Sequence, residues 1–215
     1  MKRTIGLLAA AALVATPAFA DDFTDGLAAI QQEWAVANYQ TADKDARSQA
    51  FATLVEHATT FGKAHAAHAE ALAWEGIVLS TYAGEVSAMS AMKYAKAARD
   101  ALERAEKLNA TALSGGIYAS LGALYSKVPG GFIGFGDDEL AAQYFKKALA
   151  VDADNIDNNY FYGEFLVDQG QYAEARTVLQ RALAAPAAAD RPVFDAGRRG
   201  DIRRLLAVAE RKAST

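Results

Sequence analysis

The residues whose types and spacing bear on chemistry are three histidines, a loop holding four glycines, and many carboxylates. On a helix His65 and His68 share a face. With His57 from the preceding helix they would offer neutral imidazoles of the kind that bind zinc or copper. No fourth ligand stands at a matching position and no HExxH pattern occurs, so surface or half-buried histidines are the simpler reading and no metal is expected. The stretch Asp152 to Asn159 begins like a calcium loop, but Asp157 stands where that loop's sharp turn requires glycine and no glutamate closes it. It reads as a helix-to-helix turn ending in caps. There is no cysteine, no nucleophile elbow, and no serine beside a usable histidine pattern. Carboxylates on amphipathic helices are ordinarily solvated. The expectation is a protein without catalytic residues or cofactor.

The loop Val128 to Asp138, VPGGFIGFGDD, combines glycines that permit unusual backbone turns with apolar Phe132, Ile133 and Phe135. A phosphate-cradling role lacks both the preceding strand and the GK[ST] end. Two readings remain: the three apolar side chains cover this molecule's own surface, or they contact a ligand or another subunit. Asp137 and Asp138 suit a helix N-cap and first turn.

The elements that position these groups follow from composition and periodicity. The chain is 52% hydrophobic with only four prolines, and much of the apolar share is alanine, the best helix former. No stretch shows the alternation and β-branched enrichment of a strand. The pattern predicts helices near 24–39, 43–61, 64–83, 87–108, 110–126, 138–151, 156–169, 172–185 and 198–212. This is an all-α solenoid of about four hairpins plus a C-terminal capping helix, forming one domain over 21–215. In the capping helix Ile202, Leu205, Leu206 and Ala209 form the apolar face, while Arg198, Arg199, Arg203 and Arg204 stand elsewhere.

A repeat underlies the helices. Ala141, Phe145 and Ala148 recur 34 residues later as Ala175, Leu179 and Ala182. Ala98, Leu102 and Ala105 echo the same small-large-small order, but Ala105 lies 43 residues before Ala148, and the surplus falls on the loop between Lys127 and Asp137. Gly163 and Ala175 would let the helices of one hairpin approach closely, with Tyr162, Leu166 and Leu179 filling the space around them.

Residues 155–186 resemble one complete tetratricopeptide repeat (TPR), with Gly163, Leu166, Tyr172, Ala175, Leu179, Ala182 and Pro186 at or beside the family's signature positions. Residues 110–153 form the other clear repeat. The resemblance implies antiparallel helix pairs stacked in a right-handed superhelix, whose concave face is lined by the first helix of each pair and binds a peptide or protein. In this repeat it implies Asp157, Tyr160, Glu164, Val167 and Asp168 as the partner-binding positions, an acidic face with an aromatic. The lysine and asparagine clamp that holds chaperone carboxylates is absent, and a basic or aromatic-bearing partner fits better. The run GFGDDELAAQYFKKALA is similar, more loosely, to the T-components of TRAP transporters. That likeness implies the alternative of a small apolar ligand in an accessory role in solute transport.

The first twenty residues read as an export leader. Lys2 and Arg3 precede an apolar run from Ile5 to Ala15, and Ala18-Phe19-Ala20 forms a small-x-small cleavage site. The expected compartment is the periplasm, with neither a transmembrane segment nor a lipid anchor on a cysteine. Of 22 basic residues 20 follow the leader, against 26 acidic, so the mature net charge is −6 and nucleic acid is not an expected partner. Intact-mass measurement of protein recovered from the periplasmic fraction should show a chain beginning at Asp21; a retained Met1 would refute the leader.

Overall fold

The computed structural model describes residues 19–213, with side chains from Phe23 onward. The expected leader lies outside the described residues except for Phe19 and Ala20, whose backbone belongs to the first helix. The helices are α1 (Phe19–Tyr39), α2 (Lys44–Ala64), α3 (Ala69–Glu85), α4 (Ala88–Asn109), α5 (Gly116–Lys127), α6 (Asp138–Val151), α7 (Ile156–Asp168), α8 (Tyr172–Ala184) and α9 (Pro192–Ala213). Among the described residues there is no strand, and no helix is long and apolar enough to cross a membrane.

Local chemistry sets the boundaries. Asp43 caps α2 by accepting from the Ala46 N–H at 2.8 Å, and Asp137 caps α6 by accepting from Leu140 at 2.9 Å. Asn155 does the same for α7 through Asp157 and Asn158. Pro192 opens α9, where its missing N–H costs nothing. This helix therefore begins well before the Arg198 start expected from the sequence.

The expected helix 110–126 is broken at its start. Ala112–Gly115 form a separate 3₁₀ turn in which Leu113 (φ 56°), Ser114 (φ 52°) and Gly115 (φ 90°) are left-handed. Such geometry costs a non-glycine residue on the order of 1–3 kcal/mol and persists only where the surroundings dictate it. Here they do: the buried Asn158 amide reaches the carbonyls of Ser114 (2.9 Å), Ala148 (3.1 Å) and Asp152 (3.1 Å). At Gly115 a Cβ would meet the Ala148 carbonyl oxygen at 2.7 Å, so only glycine fits.

Close approach of helices repeats from hairpin to hairpin. A Cβ at Gly76 of α3 would meet Leu102 of α4 at 2.6 Å, one at Gly122 of α5 would meet Phe145 of α6 at 2.8 Å, and one at Gly163 of α7 would meet Leu179 of α8 at 2.6 Å. The three large partners are fully buried, flanked by Ala98 and Ala105, Ala141 and Ala148, and Ala175 and Ala182, each also at 0% exposure. These are the small-large-small triplets read from the sequence. Consecutive helices pack side by side, and the odd-numbered helices, which also contact one another, form the inner layer.

Enlarging Gly163 or Ala175 to leucine should overpack the α7–α8 contact and cost about 1–3 kcal/mol, whereas Glu174→Leu on the exposed face should cost little. Urea unfolding of the three variants checks this, and equal shifts would remove the register.

Candidate functional site

The inner layer does not form an open trough. α9 packs against α8 as a cap, and it also returns to α1, so the solenoid closes on itself. At the seam Phe194 joins Trp34 and Trp74 in one cluster, with the ring centroids of Trp34 6.4 Å from Phe194 and 6.2 Å from Trp74. Gly197 lies directly against the Tyr39 ring, and the Tyr39 hydroxyl donates to Asp201 at 3.1 Å.

Arg198 is the keystone of this seam. The residue is 5% exposed; its guanidinium donates from Nε to Asp157 at 2.7 Å, lies 3.5 Å from Asp201, and stacks 4.1 Å over the Tyr160 ring. Burial works against its charge, but Asp157, the neighbouring tyrosine hydroxyls and Asp201 outweigh that effect and hold its pKa above the ordinary arginine value. Burial is also the chief reason the Tyr39 and Tyr160 hydroxyls are pushed up. The basic cluster of the last helix is thus not a uniform outer face. Arg199 also turns inward, bonding Asp195 at 2.9 Å and the Leu183 and Ala185 carbonyls at 2.8 Å each, and it ties the α8–α9 connection to the helix.

Closure leaves a cavity of about 920 Å³ bounded by α1, α3, α5, α7 and α9. Its aromatic wall holds Trp34, Trp74, Tyr160, Phe161 and Phe194; of the lining hydroxyls, Ser80 and Thr81 donate to the Ile77 carbonyl at 2.9 Å each, and Thr81 also accepts from Trp34, while Ser120 lines the space from α5. The left-handed Leu113 and Ser114 also border it, so the strained turn is part of the wall. Five basic and five acidic side chains line the cavity, most of them already paired. Arg47 meets Glu85 at 3.1 Å, and Lys127 meets Glu164 at 3.4 Å and Asp168 at 2.6 Å. Burial opposes the charge of Lys127, but these two carboxylates prevail and raise its pKa.

Of the positions implied by the resemblance, Asp157, Tyr160 and Glu164 do line the cavity. Asp168 stands at its edge, bonded to Lys127, and Val167 packs with residues of α8 and α9 instead. The acidic character expected of this face is cancelled by Arg198 and Lys127, which come from other helices. Trp34, Trp74 and Phe194 carry no motif that singles them out in the sequence. The two tryptophans stand on first helices of hairpins, which is the signal that could have found them.

The three histidines do not assemble as a set, though the rings of His65 and His68 meet edge-on with centroids 6.1 Å apart. His57 Nδ1 lies 2.9 Å from Glu33, while His65 ends α2 and His68 precedes α3, so they share no helix face. His68 stacks on Phe23 at 4.3 Å, and His65 lies edge-on to the same ring. No group of three His, Cys, Asp or Glu residues able to hold a metal occurs among the described residues.

The Val128–Asp137 loop divides. Phe135 packs on Tyr125 (5.5 Å) beneath the Arg99 guanidinium (4.5 Å), whereas Phe132 and Ile133 stand in solvent.

Residues 133–192 match the tetratricopeptide repeat family. A thermophilic TPR protein of Thermus thermophilus shares the fold, with a TM-score of 0.57 at 16% identity over 87% of this chain and 98% of that one. No curated protein matches the sequence.

Replacing Arg198 by leucine would leave the half-buried Asp157 without its cation and should cost about 1.5–3 kcal/mol. Asp157→Asn in the same background should recover part of that loss, as read from urea midpoints.

Proposed function

We propose that this tetratricopeptide-repeat protein works by binding rather than catalysis, taking a short segment of a partner protein into the cavity enclosed by its inner helices. The observation that carries the reading is the cavity itself: an aromatic wall with hydroxyls, whose charges largely cancel within the protein. No surplus of charge remains to select a strongly basic ligand. A neutral segment bearing an aromatic or aliphatic side chain fits better, because its apolar surface replaces water on the half-buried Ile77, Leu113 and Phe161 while a backbone amide meets the Ser120 hydroxyl.

Closure by α9 favours a second occupant of the same cavity. A bounded space of about 920 Å³ also suits one small amphipathic molecule, which is the accessory ligand-binding role in solute transport. The leader read from the sequence supports the periplasm as the compartment for either activity.

Ser120 is half-buried and lines the cavity from α5. Ser120→Trp should fill part of the space, keep the helical circular dichroism, and abolish binding. Native mass spectrometry of the exported protein before and after the substitution distinguishes the occupants: a retained peptide, a retained small molecule, or neither. Unchanged ligand retention in the variant would move the site away from the cavity.

A further inference from the structure

We propose that the cavity reads its occupant by the backbone: the carboxamides of Gln31 and Asn38 on α1 hydrogen-bond peptide units of a neutral segment held in extended form. The inference rests on the cavity reading above and adds to it the groups that tell a peptide from another apolar ligand.

A peptide unit drawn out of water must exchange its hydrogen bonds for others, because an unpaired N–H or C=O is costly. A cavity that takes in a chain segment therefore needs unengaged neutral donors and acceptors on its wall. Most of this wall cannot supply them. Ser80 and Thr81 spend their hydroxyls on the Ile77 carbonyl, the Trp34 Nε1 donates to Thr81, and the Asn155 carbonyl oxygen caps α7. The charges are spent as well. Arg47 pairs with Glu85, Lys127 with Glu164, Arg198 with Asp157 and Arg204 with Asp201. What is left is Asp190 and Arg191, adjacent and of opposite sign.

Gln31 and Asn38 are different. Both line the cavity, both are half-buried, and neither side chain bonds any described residue. Each carboxamide holds a donor and an acceptor side by side, the complement of what a peptide unit presents. A hydrocarbon uses neither half of that pair, and an ion only one.

Their spacing suits a chain. Gln31, Trp34 and Asn38 fall at i, i+3 and i+7 on one face of α1. Seven residues of helix rise about 10.5 Å, the length of about three residues of extended chain, so the two carboxamides meet different peptide units of one segment. Ile77, Leu113 and Phe161, half-buried in the same cavity, take the side chains. Because every residue offers the same backbone amide, the α1 wall is indifferent to sequence, and selection is left to the apolar side chains.

Calorimetric titration with the blocked pentapeptide acetyl-alanyl-leucyl-alanyl-phenylalanyl-alanine amide, and with its analogue N-methylated at the leucine and phenylalanine nitrogens, tests the proposal. The wild type should bind the parent peptide and hold the methylated form about tenfold more weakly. Gln31→Leu with Asn38→Leu should bind the parent about tenfold more weakly and the two peptides alike, since the amides silenced by the methyls have already lost their partners. Both side chains lie on the cavity surface, and unchanged circular dichroism confirms that the variant folds. A wild type that binds neither peptide or both equally, or a variant that keeps the wild type's preference for the parent, would overturn it. Ser120→Trp separates this inference from the reading beneath it. Undiminished binding in that variant removes the cavity itself, whereas binding lost there but unchanged in the Gln31 and Asn38 variant removes only the backbone contact.

Discussion

A glycine set against a large buried side chain decides how near the two helices of a hairpin can lie, and the rest of the architecture depends on that distance. Gly76 with Leu102, Gly122 with Phe145 and Gly163 with Leu179 repeat one contact at three points along the chain. Because the spacing recurs, each hairpin presents its first helix on the same side, and the inner layer forms without further instruction. A methyl group at any of these glycines would displace the leucine or phenylalanine that fills the gap, and interiors packed this densely have no space to absorb it.

The inner layer alone would make an open groove. What turns it into a cavity is the return of α9 to α1, and the chemistry of that seam is polar as well as apolar. Arg198 is buried at a cost in hydration that Asp157, Asp201 and the Tyr160 ring together offset. The same contacts remove Asp157 and Tyr160 from the inventory of free groups facing a ligand. Lys127 does likewise for Glu164 and Asp168. The face that carries carboxylates in sequence is therefore nearly neutral in space, and this governs which occupants suit it.

Opposite ends of one loop serve opposite purposes. Phe135 is a packing residue held by Tyr125 and Arg99, while Phe132 and Ile133, three and two positions before it, are not covered by any part of the described chain. Gly131, left-handed at φ 68°, turns the chain into the tip, and Gly134, where a Cβ would meet the Met92 methyl at 2.8 Å, brings it back against α4, so neighbouring apolar residues meet different environments.

Much of the fold was legible because helix formation is local. Alanine-rich segments, the cap at Asp137, the capped turn over Asp152 to Asn159, and the 34-residue recurrence of Ala141, Phe145 and Ala148 are each read from a few neighbouring residues, and the structure places those triplets in the hairpin contacts. The three cavity-lining positions of α7 were legible through the resemblance to the repeat family, which marks the inward face of a first helix. Contacts between residues far apart in the chain were not. Arg198 reads as part of a polar helix face until α9 is laid against α1 and α7, where Asp157, 41 residues away, and Tyr39, farther still, enclose it. The left-handed Leu113 and Ser114 likewise carry no local signal, because Asn158 holds that turn from 44 residues along the chain. The sequence by itself determined the helices, their pairing and the spacing of the repeats. Tertiary structure decided closure of the ring, the cancellation of its charges and the strain in its wall, because each requires groups that only the folded chain brings within hydrogen-bonding reach.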